Sequence, residues 1–171
     1  MSEMALFCQG DDRARELRDH LAPDDLSRPS ADFIQSIMDG CEEELTRLQI
    51  EALKIADIIW DEISERRDAG EKPKLGVRVR RIKSTLQIVW YKNATSKAGV
   101  PGKITARQLN KGSKKKYRYD NSVFSFCPAW ERDNAIMAED MFATIRERAS
   151  IVSEIRFKAS RLSAQLKRKE G

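Results

Sequence analysis

Two stretches of the chain repeat apolar residues at intervals of three and four, the spacing of one face of an α-helix. In the first stretch, Ser30 suits the N-cap, and Gly70 and Pro73 favour an end. Its apolar positions are Ile34, Ile37, Cys41, Leu45, Leu48, Ala52, Ile55, Ile59 and Ile63. The pattern predicts a helix of about 38 residues, roughly 57 Å long at 1.5 Å per residue.

A second long helix is predicted after Pro128, which suits the first helical position, with Glu131 in the first turn. Its apolar stripe is Met137, Met141, Ile145, Ala149, Val152, Ile155, Ala159, Leu162 and Leu166. We expect the two helices to pair antiparallel. Because the stripe is narrow, the N-terminal segment, the sheet or a second copy in a homodimer should cover it.

Between the helices, apolar and polar residues alternate with the period of two that is typical of strands. GVRVRRIK and LQIVWYK each show this alternation, and the parity slips over 83–85. The slip predicts a tight turn and a hairpin, although a bulge in one long strand would give the same slip. KYRYDNSVFSF is the third predicted strand, and 92–116 is predicted to be a loop. The fold class is therefore α+β, with two long antiparallel helices flanking a small antiparallel sheet of about three strands.

The predicted organisation has two parts. Residues 1–29 form an N-terminal segment with a short helix up to Pro23, followed by a loop up to Pro29. Residues 30–168 form a single helix-sheet-helix domain with a basic centre at 72–119.

Charge changes the picture most in this basic centre. Residues 72–119 contain fifteen Lys and Arg residues and no acid, whereas the whole chain has a net charge of only +5. Residues 1–71 hold 19 acidic and 8 basic residues. Such a separation implies a polyanionic partner for the centre of the chain.

If this partner is double-stranded DNA, residues 92–116 would contact phosphates and the strands would contact bases. Arg78 and Arg80 share one strand face, whereas Arg81 lies on the other and should neutralise an acid of the first helix. The predicted DNA-binding residues are Arg78, Arg80, Lys83, Lys92, Lys97, Lys103, Arg107, Lys111, Lys114, Lys115, Lys116 and Arg118.

Candidate chemistry is sparse. The single histidine, His20, cannot supply a histidine-based zinc site or a relaxase histidine cluster, so we expect no enzyme, metal or cofactor. Cys8, Cys41 and Cys127 lack metal-ligand spacing and are interpreted as buried small hydrophobes. No apolar run approaches the roughly 20 residues that a membrane span needs, and the expected location is the cytoplasm.

The order of these stretches resembles the MobI-type mobilisation proteins, accessory factors of integrative conjugative elements and related plasmids. The resemblance covers about residues 30–160 and involves IVWYKN, KYRYDNSVFSF and PAWERDNAIMAEDMFATIR. It implies a protein that acts at the origin of transfer and helps the relaxase, without cutting DNA itself.

Two other classes fit the same charge pattern. An RNA-binding or ribosome-associated module would use aromatic residues to stack on unpaired bases, the candidates being Trp90, Tyr91, Tyr117 and Tyr119. A coiled-coil scaffold would instead dock its basic centre on an acidic protein or on its own acidic helix.

Overall fold

The computed structural model describes residues 23–95, 104–111 and 117–169. Its elements are helix α1 (Pro23–Asp68), strands β1 (Leu75–Ile82), β2 (Thr85–Thr95) and β3 (Ile104–Gln108), a 3-10 helix (Asn121–Phe124) and helix α2 (Ala129–Lys169). The strands form one antiparallel sheet in the order β1-β2-β3. The predicted α+β fold class is confirmed, whereas the short helix predicted before Pro23 lies outside the described residues.

Contacts divide the chain into two compact units. One, called the central unit, is Gly40–Lys158, and the other consists of Met1–Asp39 and Ala159–Gly171. Among the described residues of the second unit, Ile34 and Ala159 are buried. The predicted domain limits at 1–29 and 30–168 stay a prediction.

Helix α1 buries the predicted stripe, including Leu45, Leu48 and Ala52, which are 0% exposed. Its predicted start is wrong, because the helix begins at Pro23 and includes the predicted loop up to Pro29. Proline suits the first helical position, and an interior proline removes a single backbone hydrogen bond without always ending the helix.

The end of α1 is the predicted left-handed glycine cap. Gly70 has a φ of 87°. Its amide donates to the Arg67 carbonyl at 2.9 Å, and the Glu71 amide donates to the Arg66 carbonyl, also at 2.9 Å. This pair of bonds is the Schellman motif, which satisfies the last helical carbonyls.

Helix α2 starts almost as predicted, since the Pro128 carbonyl accepts the first helical hydrogen bond from the Arg132 amide at 3.0 Å. Part of its predicted stripe is wrong: Met137, Met141, Ile155 and Leu162 are 68%, 48%, 45% and 44% exposed. The buried face is Glu131, Ala135, Ala138, Glu139, Phe142, Ile145, Arg146 and Ala149. Ile145 and Ala149 were predicted correctly, but over the first turns the prediction followed the two methionines, because the buried face there consists of two glutamates and small alanines.

The predicted hairpin is confirmed, with Ile82 paired to Thr85 across a two-residue turn. The third strand is not KYRYDNSVFSF but residues 104–108, which lie within the predicted loop. Tyr119 and Phe124 are instead 1% and 0% exposed in an irregular segment and a 3-10 helix. The aromatic content of this segment therefore reflects its burial in the core, not a place in the sheet.

In the central unit, one face of the sheet packs on both helices. The core combines Leu48 of α1, Trp90 of β2 and Phe142 of α2, and the Trp90 and Phe142 ring centroids are 5.7 Å apart. Arg148 Nη2 lies 3.4 Å from Glu44 Oε1, and Asn134 donates a hydrogen bond to Glu62. Since the later residue of α2 meets the earlier residue of α1, the helices run antiparallel, as predicted.

Alanine substitutions at two glycines of this unit provide a test of the packing of the sheet and its control. A Cβ atom on Gly76 would lie 2.5 Å from the Tyr91 ring, whereas one on Gly40 meets nothing within 4 Å. We expect Gly76→Ala to lower the free energy of unfolding by about 1 to 3 kcal/mol through overpacking. Gly40→Ala should raise it by up to about 1 kcal/mol, because alanine favours the helix. Urea denaturation compares the two, and a Gly76→Ala protein as stable as wild type would contradict the packing of Tyr91.

Candidate nucleic-acid interface

The exposed half of the β1-β2 hairpin carries the strand arginines that the sequence assigned to DNA. Arg78 and Arg80 are exposed on the face opposite the core. The Arg78 guanidinium lies 5.6 Å from the centroid of the Tyr91 ring, and Arg80 Nε donates to Gln87 Oε1 at 3.0 Å. Neither arginine has a carboxylate within 4 Å in the part of the chain that the structure describes. Both cations are therefore oriented by neutral groups and remain available to an anion.

Trp60 of α1 limits how far this open face extends. Its indole nitrogen donates to the Val77 carbonyl on the outer edge of β1 at 3.2 Å, and its ring centroid lies 6.2 Å from that of Tyr91. Trp60 and Tyr91 thus cover the end of the hairpin that is far from the turn. The turn end, with Arg78 and Arg80, is left exposed.

Arg81 supports the turn from the opposite face, as the sequence predicted. Its guanidinium contacts Glu42 of α1 at 2.6 Å and Thr46 Oγ1 at 3.3 Å, and it donates to the Lys83 carbonyl at 3.1 Å. Ser153 of α2 donates to the carbonyl of the other turn residue, Ser84, at 2.7 Å. Both helices therefore hold the hairpin turn, and Arg81 has a structural role.

Lys83 lies at the first position of the turn with a φ of 54°. Non-glycine residues pay a conformational penalty of roughly 1 kcal/mol in this left-handed region. Glycine would fit this position without strain, as in type II′ hairpin turns. The turn therefore has an exposed cation at a position where glycine, which is neutral, would be less strained.

The remaining predicted DNA-binding residues do not all lie on the open face. Lys92 and Arg107 are paired across β2 and β3 on the core side of the sheet, although both are exposed, and the Lys92 ammonium lies 4.4 Å from the Phe126 ring centroid. Arg118 forms an ion pair with Asp140. Lys97, Lys103, Lys114, Lys115 and Lys116 lie outside the described residues, so their role stays a prediction.

A cavity of about 960 Å³ extends from the open face of the hairpin to Lys111 and Tyr117. Its lining includes Arg80 and Gln87 from the hairpin, Lys111 and Arg146 from the far side, and Lys158 of α2. Burial, followed by repulsion from Arg146, lowers the pKa of the Lys111 ammonium. The lining thus combines four cationic side chains with the carboxylate of Glu154 and reaches around the free edge of β2.

Glu139 and Arg146 of α2 anchor residues 117–119. The sequence did not indicate this role for either side chain. Glu139 is 0% exposed, and its carboxylate accepts hydrogen bonds from the Tyr119 amide at 2.8 Å and the Trp90 indole at 2.7 Å. Arg146 pairs with it at 2.7 Å and donates to the carbonyls of Tyr117 and Ile88. The pair therefore joins α2 to β2 and to residues 117–119. The spacing of Glu139 and Arg146, seven residues on a helix that also buries Phe142, is the only signal that the sequence offered.

Glu131 anchors the other end of the basic segment. It is 3% exposed, and its carboxylate accepts hydrogen bonds from the amides of Lys74 and Leu75 at 2.9 and 2.8 Å. The sequence identified Glu131 only as an acid of the first helical turn. Both ends of the basic segment are thus held by buried carboxylates of α2.

Cys127, beside Glu131, is a free buried thiol, and so is Cys41, as predicted, whereas Cys8 lies outside the described residues. Burial first, and then the Glu131 charge, raises the pKa of the Cys127 thiol from 9.0 to about 12. The thiol ionises at lower pH when the protein is unfolded. Its contribution to stability is therefore complete below about pH 9 and is lost as the pH rises towards 12.

This difference gives a pH-dependent prediction. Between about pH 9 and pH 10, wild type should lose up to about 1.4 kcal/mol more stability than Cys127→Ala, because only wild type carries the ionising thiol. Urea denaturation of both proteins at the two pH values measures the difference. Equal losses would show that the thiol does not have the raised pKa.

The aromatic residues considered for stacking on unpaired bases are mostly unavailable. Trp90 and Tyr119 are 0% and 1% exposed in the core. Tyr91 is half-buried against Trp60. Burial also raises the pKa of the Tyr91 and Tyr119 phenols, so both are uncharged near neutral pH.

Comparisons with known proteins complete the description of the site. A family model described as MobI protein matches residues 48–160, more than half of the chain. The matched region runs from the middle of α1 through the sheet and the buried carboxylates to α2. Searches of curated proteins and of solved structures found no significant match. Within the described ranges, neither long helix has an apolar stretch sufficient to span a bilayer.

Proposed function

Because the chain belongs to the MobI family and so has a mobilisation-related role in conjugation, we propose that it is a non-catalytic protein that binds double-stranded DNA at the origin of transfer and assists the relaxase there. The exposed arginines at the turn end of the hairpin carry this proposal. A two-stranded ribbon fits the major groove of B-form DNA, and arginine is the side chain most often found bidentate to guanine there.

The shape of the interface supports duplex DNA over single-stranded RNA or DNA. Sequence-tolerant binding of single strands depends on exposed aromatic side chains on which bases stack. Here Trp90 and Tyr119 are core residues, whereas the arginines of β1 stand on a supported ribbon. Competition between duplex DNA, single-stranded DNA and RNA of one sequence tests this preference, and tighter binding of RNA would favour the alternative function.

Lys83→Gly is a test in which loss of DNA affinity cannot be attributed to unfolding. Glycine adopts the positive φ of this position without strain, so we expect unchanged or higher thermal stability. Removal of one phosphate contact should reduce the magnitude of the slope of log K against log salt by about 1. Fluorescence anisotropy with a duplex origin fragment at several salt concentrations measures the slope.

The matched control is Lys54→Ala, which removes an exposed lysine from α1, away from the hairpin. It should leave the salt slope unchanged. If Lys83→Gly and Lys54→Ala alter the slope equally, the hairpin turn is not part of the DNA interface.

A further inference from the structure

Helix α2 leaves a stripe of large apolar side chains exposed on the surface. Met137, Met141, Ile151 and Ile155 are 68%, 48%, 51% and 45% exposed. Together with Thr144 and Arg148 they follow alternating intervals of four and three, which keeps them on one side of a helix. The stripe extends over roughly 27 Å at 1.5 Å per residue. Thr144 and Arg148 separate the two methionines from the two isoleucines, so the stripe consists of two exposed apolar pairs on one side of the helix. Exposed apolar surface with a polar rim marks an interaction site.

Acidic residues border this stripe on both sides. Asp140, Glu147 and Glu154 follow one another at intervals of seven along α2 and are exposed. Glu147 and Glu154 have no cation within ion-pair distance among the residues that the structure describes. On this side the stripe therefore has a row of carboxylates, of which only Asp140 is paired.

The opposite border belongs to α1. Glu44 and Glu51 both form ion pairs with Arg148 in the stripe, at 3.4 and 3.9 Å, and with Arg47 of α1, at 2.6 and 3.9 Å. Ile58 follows Glu51 by seven residues and is 69% exposed. Helix α1 thus adds an exposed isoleucine and a second row of carboxylates, which arginines already pair.

We propose that this acidic-bordered stripe binds a basic amphipathic helix of a protein partner. An apolar helix face would cover the methionines and isoleucines, and lysines or arginines along its flank would meet the unpaired carboxylates of Glu147 and Glu154. Methionine side chains suit such a surface because they adapt to the shape of a partner helix. The proposal deepens the function proposed above, on which it rests, by giving the protein that binds DNA through its sheet a separate surface for a protein.

A second copy of the chain fits the stripe less well, for reasons of charge. In an antiparallel pair that places Met141 opposite Ile151 of the copy, Glu147 falls opposite Glu147, and Asp140 falls opposite Glu154. In a parallel pair in register, Arg148 falls opposite Arg148. Residues 1–22, with five acidic and three basic residues, do not complement the carboxylates either. Like charges at these positions oppose association.

The test uses the full-length protein and three labelled peptides of about 20 residues, the length of the stripe. One peptide has a leucine stripe with lysine flanks, the second has the same stripe with glutamate flanks, and the third has the first composition in scrambled order. We expect the first to bind at least about tenfold more tightly than the other two, by fluorescence anisotropy at physiological salt. Equal binding of the first and the scrambled peptide would overturn the proposal.

The double variant Met141→Glu/Ile151→Glu separates apolar contact from charge. It adds two negative charges, so pure electrostatics would strengthen binding of the basic peptide. We expect binding to weaken by about tenfold or more, because the apolar contact is lost. Unchanged or tighter binding would overturn the proposal, as would sedimentation showing a wild-type dimer that this variant dissociates.

Duplex DNA binding by the same variant distinguishes the two proposals. The stripe lies away from the open face of the hairpin, so the variant should retain its preference for origin DNA over scrambled duplex. If wild type binds the basic peptide but no DNA, the proposed function fails and the peptide site stands. If wild type binds DNA but not the peptide, the peptide site fails and the proposed function stands.

Discussion

Replacement of Glu139 by glutamine is expected to lower the free energy of unfolding by about 3 to 5 kcal/mol. This is the largest change in stability that we predict for a single substitution. Its carboxylate is 0% exposed and accepts hydrogen bonds from Arg146, Trp90 and the Tyr119 amide. The substitution leaves the buried Arg146 cation without its counter-charge. It also offers an amide donor where only donors converge.

Glu147→Gln is the matched control, because the same change is made on the same helix at an exposed residue. It should alter stability by less than about 0.5 kcal/mol. Urea denaturation followed by tryptophan fluorescence measures both proteins. If the two substitutions have equal effects, Glu139 does not hold the core as described.

A double substitution tests whether the charge or the hydrogen bonds dominate at this site. Glu139→Leu/Arg146→Met removes both charges, and replacing a buried ion pair by apolar residues is often neutral or stabilising. Here the carbonyls of Ile88 and Tyr117 would lose their Arg146 donors. The double variant should therefore recover part, but not all, of the stability lost in Glu139→Gln.

Substitution of both strand arginines is expected to have the largest effect on recognition of origin DNA. Arg78→Ala and Arg80→Ala should each narrow the free-energy gap between cognate and scrambled duplex by about 1 to 3 kcal/mol. The two side chains lie on one face of β1 about 7 Å apart along the strand, which is close to two base-pair steps. Competition binding at fixed salt measures the gap.

Lysine at the same positions separates charge from geometry. Arg78→Lys and Arg80→Lys keep the cation but lose the planar guanidinium that binds guanine through two hydrogen bonds. We expect the lysine variants to lose specificity and to keep the wild-type salt slope. If alanine and lysine variants both retain the wild-type ratio of cognate to scrambled binding, the hairpin does not read the sequence.

The difference between the two arginine faces has a consequence for conjugation. Arg81 contacts Glu42 and the turn, so Arg81→Ala should act mainly on stability. Arg78→Ala and Arg80→Ala should reduce transfer frequency at wild-type protein levels. Conjugation assays with a separately supplied relaxase, combined with immunoblots, distinguish loss of protein from loss of recognition.

The sequence alone determined the local features of the fold. The apolar period of α1, the glycine cap at Gly70 and the alternation of β1 and β2 are local, because each depends on residues within a few positions of one another. The same alternation placed Arg78 and Arg80 on one face and Arg81 on the other. Charge composition likewise located the basic centre without any knowledge of the fold.

Tertiary structure decided the features that depend on partners distant in sequence. Glu131 and Glu139 are buried because the amides of Lys74, Leu75 and Tyr119 reach them across more than a dozen intervening residues. In a sequence, a carboxylate without known donors is assigned to the surface. The predicted buried face of α2 therefore included the methionines instead of the two glutamates. The third strand was misplaced for a related reason, since aromatic residues favour strands and buried irregular segments alike, and only packing distinguishes the two.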